Sequence, residues 1–140
     1  MDRPDEKPVA ATVTAFDPSA DLIYLVAELS GPLGAQKYRF VLDTACAETL
    51  ITPESVDKLG YSARHGDSIT AVTTALDREP GYRLRVSRFE ALGYAVTDFR
   101  VHVHDLPEES GIDGLIGLNF LRAFNYEIRS KEGRILVSRA

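Results

Sequence analysis

The residues that could do chemistry in this sequence centre on Asp43, a carboxylate at the end of an apolar run. The run YRFVL before it is rich in β-forming residues, and Thr44, three small residues and a second apolar run follow it. A carboxylate in this place can act as a general acid or base. It can equally accept hydrogen bonds from nearby backbone N–H groups in a turn, which is the commoner role of a strand-end Asp. Asp43 alone therefore indicates no function.

A second stretch repeats the plan of the first at a long separation. The sequence DGLIGLNFL, residues 113–121, again predicts an apolar strand, then a small residue and then a helix. Together the two stretches form a pattern that neither makes alone.

With both stretches in view, the sequence resembles the retropepsin-like aspartic proteases. The catalytic strand of that family ends in apolar-Asp-Thr/Ser-Gly/Ala, and its second element is an aliphatic pair followed by Gly and a helix. The hairpin between residues 69 and 86 lies where the family carries its flap, and the resemblance extends over residues 22–137. The matching residues are Val41, Leu42, Asp43, Thr44 and Ala45 in the first element and Leu115, Ile116, Gly117, Leu118 and Asn119 in the second.

The resemblance implies an aspartic endopeptidase that hydrolyses peptide bonds with an activated water. In this chemistry two carboxylates share one proton, since like charges about 3 Å apart cannot both ionise. The ionised carboxylate takes a proton from the attacking water, and the protonated one hydrogen-bonds the peptide carbonyl. The route requires no metal, cofactor or covalent intermediate.

The chain contains a single half-site for this chemistry. The nearest repeats of the motif, DPSA at Asp17 and DSI at Asp67, do not have the required form. A protease of this kind must therefore be a homodimer in which each subunit contributes Asp43 across a two-fold axis. The resemblance further implies that Thr44 hydrogen-bonds across that axis; its alternative role is a surface hydroxyl.

The resemblance also implies which residues surround a peptide or protein substrate. Asp43 is the predicted catalytic residue, Thr44 and Ala45 form the active-site loop, and Gly117 and Asn119 belong to the structural second motif. The predicted walls of the groove are Ala45, Ala47, Glu48, Thr73, Thr74, Ala75, Leu76, Leu115 and Ile116.

Departures from the family pattern keep other functions open. Ala45 stands where most relatives have Gly, and the predicted flap tip, residues 73–76, contains no glycine. These features favour, as an alternative, a catalytically weak or inactive module that uses the fold to dimerise or to bind a peptide. A third alternative is an accidental match and a β domain of another role.

The elements that must position these residues are mostly strands. Strands are predicted over ATVTAF, DLIYLVAEL and KYRFVL, with GPLG as the turn before the last of them. Thr52, Pro53 and Gly60 delimit a short helix as N-cap, first helical residue and C-terminal cap. Residues 69–86 predict a long hairpin, with a polar centre containing Asp77, Pro80 and Gly81.

The C-terminal third predicts a strand, a short helix over FLRAF and a last hairpin that turns near Gly133. The sum is an all-β class, mostly β with two short helices, in a closed, retropepsin-like half-barrel of the pepsin-like acid-protease type. Residues 1–9 are predicted to be a flexible tail and residues 10–140 a single domain.

Composition excludes several functional classes. The chain is 44% hydrophobic and 26% charged, with a formal net charge of −5 and no cluster of Lys or Arg, so nucleic acid is not an expected partner. No segment approaches the roughly 18 apolar residues of a membrane span, and the start MDRPDEKP lacks the apolar stretch of a signal peptide. With one cysteine and no intrachain disulfide, the chain as given is expected to be cytoplasmic.

Two further residue types could carry chemistry. Cys46 is expected to be a small buried filler, with a redox-sensitive thiol beside the catalytic loop as the alternative. His102 and His104 lie on one face of a predicted strand and are expected to face solvent, because a structural zinc site would need four ligands. No metal site is predicted.

Overall fold

The computed structural model describes residues 11–66, 68–73 and 78–139, and of residues 68–73 and 78–80 it describes the backbone. These residues form ten strands, two short α-helices and two 3₁₀ turns, which confirms the mostly β prediction. The helices are α1 (Pro53–Lys58) and α2 (Leu118–Leu121), and the 3₁₀ turns are Ala63–His65 and Glu108–Ser110. The strands are β1 (Ala11–Ala15), β2 (Tyr24–Gly31), β3 (Gly34–Leu42), β4 (Leu50–Ile51), β5 (Ser68–Thr73), β6 (Arg78–Ala91), β7 (Tyr94–Val103), β8 (Gly114–Ile116), β9 (Asn125–Arg129) and β10 (Arg134–Ser138).

Seven of these strands form a barrel-like sheet. Their order is β2-β3-β8-β4-β7-β6-β5, and an additional antiparallel pairing of β2 with β6 closes the sheet on itself. The remaining strands form a second sheet in the order β1-β10-β9. The predicted closed half-barrel is therefore present.

Strand β8 brings the two sequence motifs together. It lies between β3 and β4 and runs parallel to β3, with Val41 opposite Leu115. Gly114 permits this insertion, because a Cβ there would overlap the Leu50 carbonyl oxygen and would lie 2.5 Å from the ring of Phe40. The end of β3, where Asp43 follows, is thus placed beside the second motif.

An aromatic cluster fills the core behind these strands. The ring of Phe89 contacts those of Phe40, Phe99 and Phe120, with centroids 5.8, 4.8 and 5.1 Å away. Phe120 belongs to α2 and also contacts Phe124, whose ring centroid is 5.0 Å away. Burial of these rings fixes α2 against the barrel, since each large aromatic removes a large apolar area from water.

The boundaries of α1 follow the predicted signals. Thr52 occupies the N-cap, Pro53 the first helical position, and Gly60 adopts a φ of +94° just beyond the end. The Thr52 hydroxyl does not cap the helix; it shares a hydrogen bond of 2.7 Å with the hydroxyl of Ser55. The last hairpin is also confirmed, because β9 pairs with β10 and Gly133 turns between them with a φ of +70°.

The long hairpin is confirmed, but the prediction that Pro80 and Gly81 lie at its centre is wrong. Strands β5 and β6 pair antiparallel, and Pro80 and Gly81 lie within β6 opposite Ala71 and Thr70. Proline is tolerated there because the pairing of β6 with β7 begins only at Tyr82, so on that side of β6 no strand pairing requires an N–H donor at Pro80. Residues 74–77 lie outside the described residues, and so does the predicted tail, residues 1–9.

None of the helices in the described ranges has the length and apolarity that a membrane crossing requires.

Candidate active site

Asp43 directly follows β3 and continues its pairing with β8. Its backbone N–H donates to the Ile116 carbonyl at 3.0 Å, and its Oδ1 accepts the N–H of Ala45 at 2.9 Å. The turn hydrogen bond expected of a strand-end Asp is therefore present. It also orients the carboxylate of Asp43, a residue that is partly exposed.

The second motif holds the loop after Asp43 through backbone contacts. The N–H groups of Leu118 and Asn119, in the first turn of α2, donate to the carbonyls of Cys46 and Ala47 at 2.8 and 3.1 Å. Gly117 permits this approach, because a Cβ there would lie 2.7 Å from the Cys46 carbonyl oxygen. The two motifs are thus joined by backbone hydrogen bonds.

Thr49 links these two loops through hydrogen bonds, and its role was not predicted from the sequence. Its side chain is fully buried, and its hydroxyl accepts the N–H of Gly117 at 3.1 Å and donates to Oδ1 of Asn119 at 2.8 Å. The same Oδ1 accepts the backbone N–H of Thr49 at 2.7 Å, and the Asn119 amide donates to the Arg100 carbonyl at 2.9 Å. A polar residue immediately before the apolar pair of β4 was the available signal.

The predicted groove residues differ in accessibility. Ile116 is wrong as a wall residue, because its side chain is 0% exposed and lies in the core. Strand β8 alternates, so Ile116 points inward whereas Leu115 is partly exposed. Thr44, Ala45 and Ala47 are exposed and Glu48 is partly exposed; of the predicted flap residues, Thr73 ends β5, and Thr74, Ala75 and Leu76 lie outside the described residues.

The side chains of Glu48, Arg83 and His102 form a charged cluster beside the loop that follows Asp43, and the sequence did not predict this cluster. The Nε–H of Arg83 donates to both carboxylate oxygens of Glu48, at 2.9 and 3.2 Å, and Nδ1 of His102 lies 3.6 Å from Oε2. Glu48 raises the pKa of Arg83 through this hydrogen bond and its charge. Burial lowers the pKa of His102; the charge of Glu48 opposes this effect, and Arg83 and His104 add to it.

The prediction that His102 and His104 face solvent is wrong. Their exposed fractions are only 9% and 6%, because β4 pairs alongside this end of β7. Gly81 on the neighbouring strand leaves room for the His102 ring, since a Cβ there would lie 3.1 Å from Nε2. Within the described part of the chain, no group of three or more His, Cys, Asp and Glu side chains could hold a metal ion.

Cys46 is half-buried, between the two interpretations of its role. Its thiol donates to the Glu48 carbonyl at 2.8 Å. Burial raises its pKa, and the negative charges of Asp43 and Glu48 raise it further, against the lowering effect of the backbone hydrogen bond. The thiol is therefore kept protonated and poorly nucleophilic.

The chain is similar to aspartic proteases in sequence and in fold. A family model described as "Aspartyl protease" matches residues 27–120, which include both loops. Sixty-five chains of known structure match, among them the crystal structure of a retropepsin-like aspartic protease from Rickettsia conorii. That protein is 19% identical, with a TM-score of 0.69 over 94% of this chain and 92% of the other, so the similarity is one of fold. A search of curated proteins found no match.

Proposed function

The chain belongs to the aspartyl protease family, and from that premise we propose that it is an endopeptidase whose catalytic water is activated by two copies of Asp43 across a homodimer. The observation that carries the proposal is the position of Asp43. It is a partly exposed carboxylate at the end of a central strand, held by the second motif through the Ile116 carbonyl.

The dimer follows from the chemistry and the residue count. A shared proton needs two carboxylates about 3 Å apart, and the sequence supplies one Asp-Thr-Ala motif. A two-fold axis beside Asp43 provides the second carboxylate from an identical loop. Thr44, which is exposed next to Asp43, is then available for a hydrogen bond across the axis.

In the proposed mechanism the dyad carries one proton. The ionised Asp43 accepts a proton from the water as it attacks the peptide carbonyl, while the protonated Asp43 of the partner subunit donates a hydrogen bond to the carbonyl oxygen. Transfer of a proton to the amide nitrogen then releases the amine. The two carboxylates titrate as a coupled pair, so the pH profile belongs to the dyad.

The substrate class follows from the surroundings of the carboxylate. Ala45, Ala47 and Leu115 present small or apolar accessible surface near Asp43. We therefore propose peptide or protein substrates with apolar side chains at the cleavage site, covered by the β5–β6 hairpin in the role of a flap.

Digestion of a denatured protein from about pH 3 to about pH 8 tests the proposal, because a carboxylate dyad works on the acid side. Asp43→Asn should reduce cleavage by about 10³-fold or more, since general acid and base catalysis are both lost. Asp17→Asn is the matched control, because Asp17 is an exposed carboxylate that bonds Ser19. Equal cleavage by the wild type and Asp43→Asn would refute the proposal.

A second candidate function is favoured by Ala45. Its methyl group is exposed on the loop and crowds the approach of a substrate backbone, which suits a dimerisation or peptide-binding module with weak or no activity. That module would bind a peptide equally well with and without the Asp43→Asn substitution and would release no fragments.

A further inference from the structure

We infer that Glu48 and Arg83 are positioning residues whose ion pair fixes the root of the β5–β6 hairpin against the active-site loop. The inference deepens the proposed function and rests on it for its kinetic consequence. The effect of the ion pair on the hairpin root involves described residues alone and can be tested without any substrate.

The pair joins two elements that are distant in the sequence. Glu48 lies on the loop five residues after Asp43, and Arg83 lies on β6 between Ser68 of β5 and His102 of β7. The bifurcated hydrogen bond from Nε of Arg83 reaches both oxygens of the carboxylate.

The position of Arg83 along the strand gives the pair its leverage. Residues 78–81 of β6 pair with β5, whereas the pairing with β7 begins at Tyr82. Among the described strands, the hairpin beyond Tyr82 is therefore a two-stranded ribbon, which is marginally stable by itself. Arg83 lies one residue inside this boundary, so its contact with the loop acts at the place where the ribbon leaves the three-stranded part of the sheet.

The surroundings of the pair distinguish it from an ordinary surface ion pair. The side chains of Arg83 and Glu48 are 36% and 27% exposed, and the buried His102 ring lies against the same carboxylate. Partial removal from water strengthens a charged hydrogen bond and reduces its screening by salt. By contrast, Arg85, two residues further along β6, forms an ion pair of 3.5 Å with Asp98 of β7, and the side chains of this pair are 45% and 75% exposed.

Amide hydrogen exchange of the substrate-free protein tests the structural part. Arg83→Gln should accelerate exchange in residues 68–73 and 78–83 by about fivefold, the effect of losing an interaction at the strong end of exposed ion pairs. Arg88→Gln is the matched control, because Arg88 lies on the same strand and pairs with Glu90 at 2.7 Å; it should leave exchange of residues 68–73 and 78–83 at the wild-type rate. Unchanged exchange in Arg83→Gln would overturn the inference.

The double variant Glu48→Arg/Arg83→Glu, in which the two charges exchange places, distinguishes the effect of the ion pair from the effect of losing either residue. If the ion pair itself holds the hairpin, the double variant should recover most of the protection that each single variant loses. Protection that stays lost in the double variant, while both single variants lose it, would contradict the inference.

Peptide cleavage tests the functional part. Arg83→Gln should raise KM by about fivefold with a smaller change in kcat, because a displaced hairpin weakens substrate binding more than proton transfer by Asp43. A wild-type protein without Asp43-dependent cleavage would refute the proposed function, and hydrogen exchange would still decide whether the pair holds the hairpin. A fall in kcat at constant KM would contradict the positioning role.

Discussion

Asp43 and Asp113 show how position decides what a carboxylate does. Oδ2 of Asp113 accepts the N–H of Arg39 at 2.9 Å, and its own N–H donates to the Arg39 carbonyl at 2.8 Å. Asp113 is thereby used to fasten the start of β8 beside β3. Asp43 lies at the opposite end of the paired strands and is partly exposed. Among the described hydrogen bonds, its carboxylate accepts only the N–H of Ala45, within its own turn.

Thr49→Val should destabilise the protein by about 1–3 kcal/mol, because the buried N–H of Gly117 loses its acceptor while the side-chain volume is kept. Denaturation in urea measures the change. Thr97→Val, at an exposed position of β7, is the matched control and should stay within about 0.5 kcal/mol of the wild type. Equal effects of the two substitutions would contradict the role assigned to Thr49.

The lowered pKa of His102 predicts that part of the free energy of unfolding is lost in acid. Its pKa in the folded chain is lowered from the ordinary value of 6.5, mainly by burial, against the opposing charge of Glu48. The neutral ring therefore favours folding above about pH 6.5, and this contribution is lost as the pH falls through the folded-state pKa, since the unfolded chain binds the proton more readily.

Urea denaturation of the wild type and His102→Gln at several pH values measures this component. The free energy of unfolding should fall less steeply below about pH 6.5 in the variant, and the two slopes should agree above about pH 8, where the imidazole is neutral in both states. Arg83 and His104 also face this ring and stay in place. Parallel curves throughout the acid range would show that His102 does not contribute.

At the scale of elements, sequence patterns predicted which segments are strands and where chains turn. The signals at Pro53, Gly60 and Gly133 act locally, through fixed φ angles, so they can be seen without tertiary information. Both motifs were also visible in the sequence, because each shows an apolar strand, a small residue and then a helix.

The pairing between elements could not be predicted from the sequence. Alternation showed that His102 and Val101 lie on opposite faces of β7, but not that β4 would cover the end of the strand. The same limit applied to Ile116, whose inward direction depends on how β8 pairs with β3. The contact of Glu48 with Arg83 joins residues 35 positions apart and left no local pattern.

Gly117 lies at the contact between the two motif loops, and a larger residue there should lower both activity and stability. In Gly117→Ala the new Cβ would press on the Cys46 carbonyl and move the loop that carries Asp43, so activity should fall by about 10²-fold. Overpacking of this kind also costs about 1–3 kcal/mol of stability. Peptide cleavage and urea denaturation measure the two effects.

Gly111→Ala is the control for this substitution. It costs about 1 kcal/mol because Gly111 has a φ of +66°, but a Cβ there would have space, with its nearest neighbour 3.9 Å away on Arg39. It should lower stability and keep activity. If Gly117→Ala keeps wild-type activity, the two loops do not need this close contact.

At the scale of the whole molecule, the closed barrel carries the proposed half-site, Asp43, directly after strand β3. The pairing of β2 with β6 closes the sheet, and the loops after β3 and β8 are fixed to each other by backbone hydrogen bonds. Rigid docking of identical subunits can then bring two carboxylates to a repeatable separation, which flexible loops could not. The hydrogen bonds that join the two loops thus support the geometry of the proposed dyad.

Mixing subunits tests that the dyad is shared. When wild type is equilibrated with an equal amount of Asp43→Asn, random pairing leaves about a quarter of the dimers with two intact carboxylates, since each active site needs both subunits. Total activity should therefore fall to about half of that of the same amount of wild type alone, in which every dimer is active. Asp17→Asn mixed in the same way should not lower the activity, because dimers that contain it keep both copies of Asp43. Activity that stays equal to that of the wild-type subunits alone when Asp43→Asn is added would mean that each chain works by itself, and a single Asp43 would then have to act without a second carboxylate.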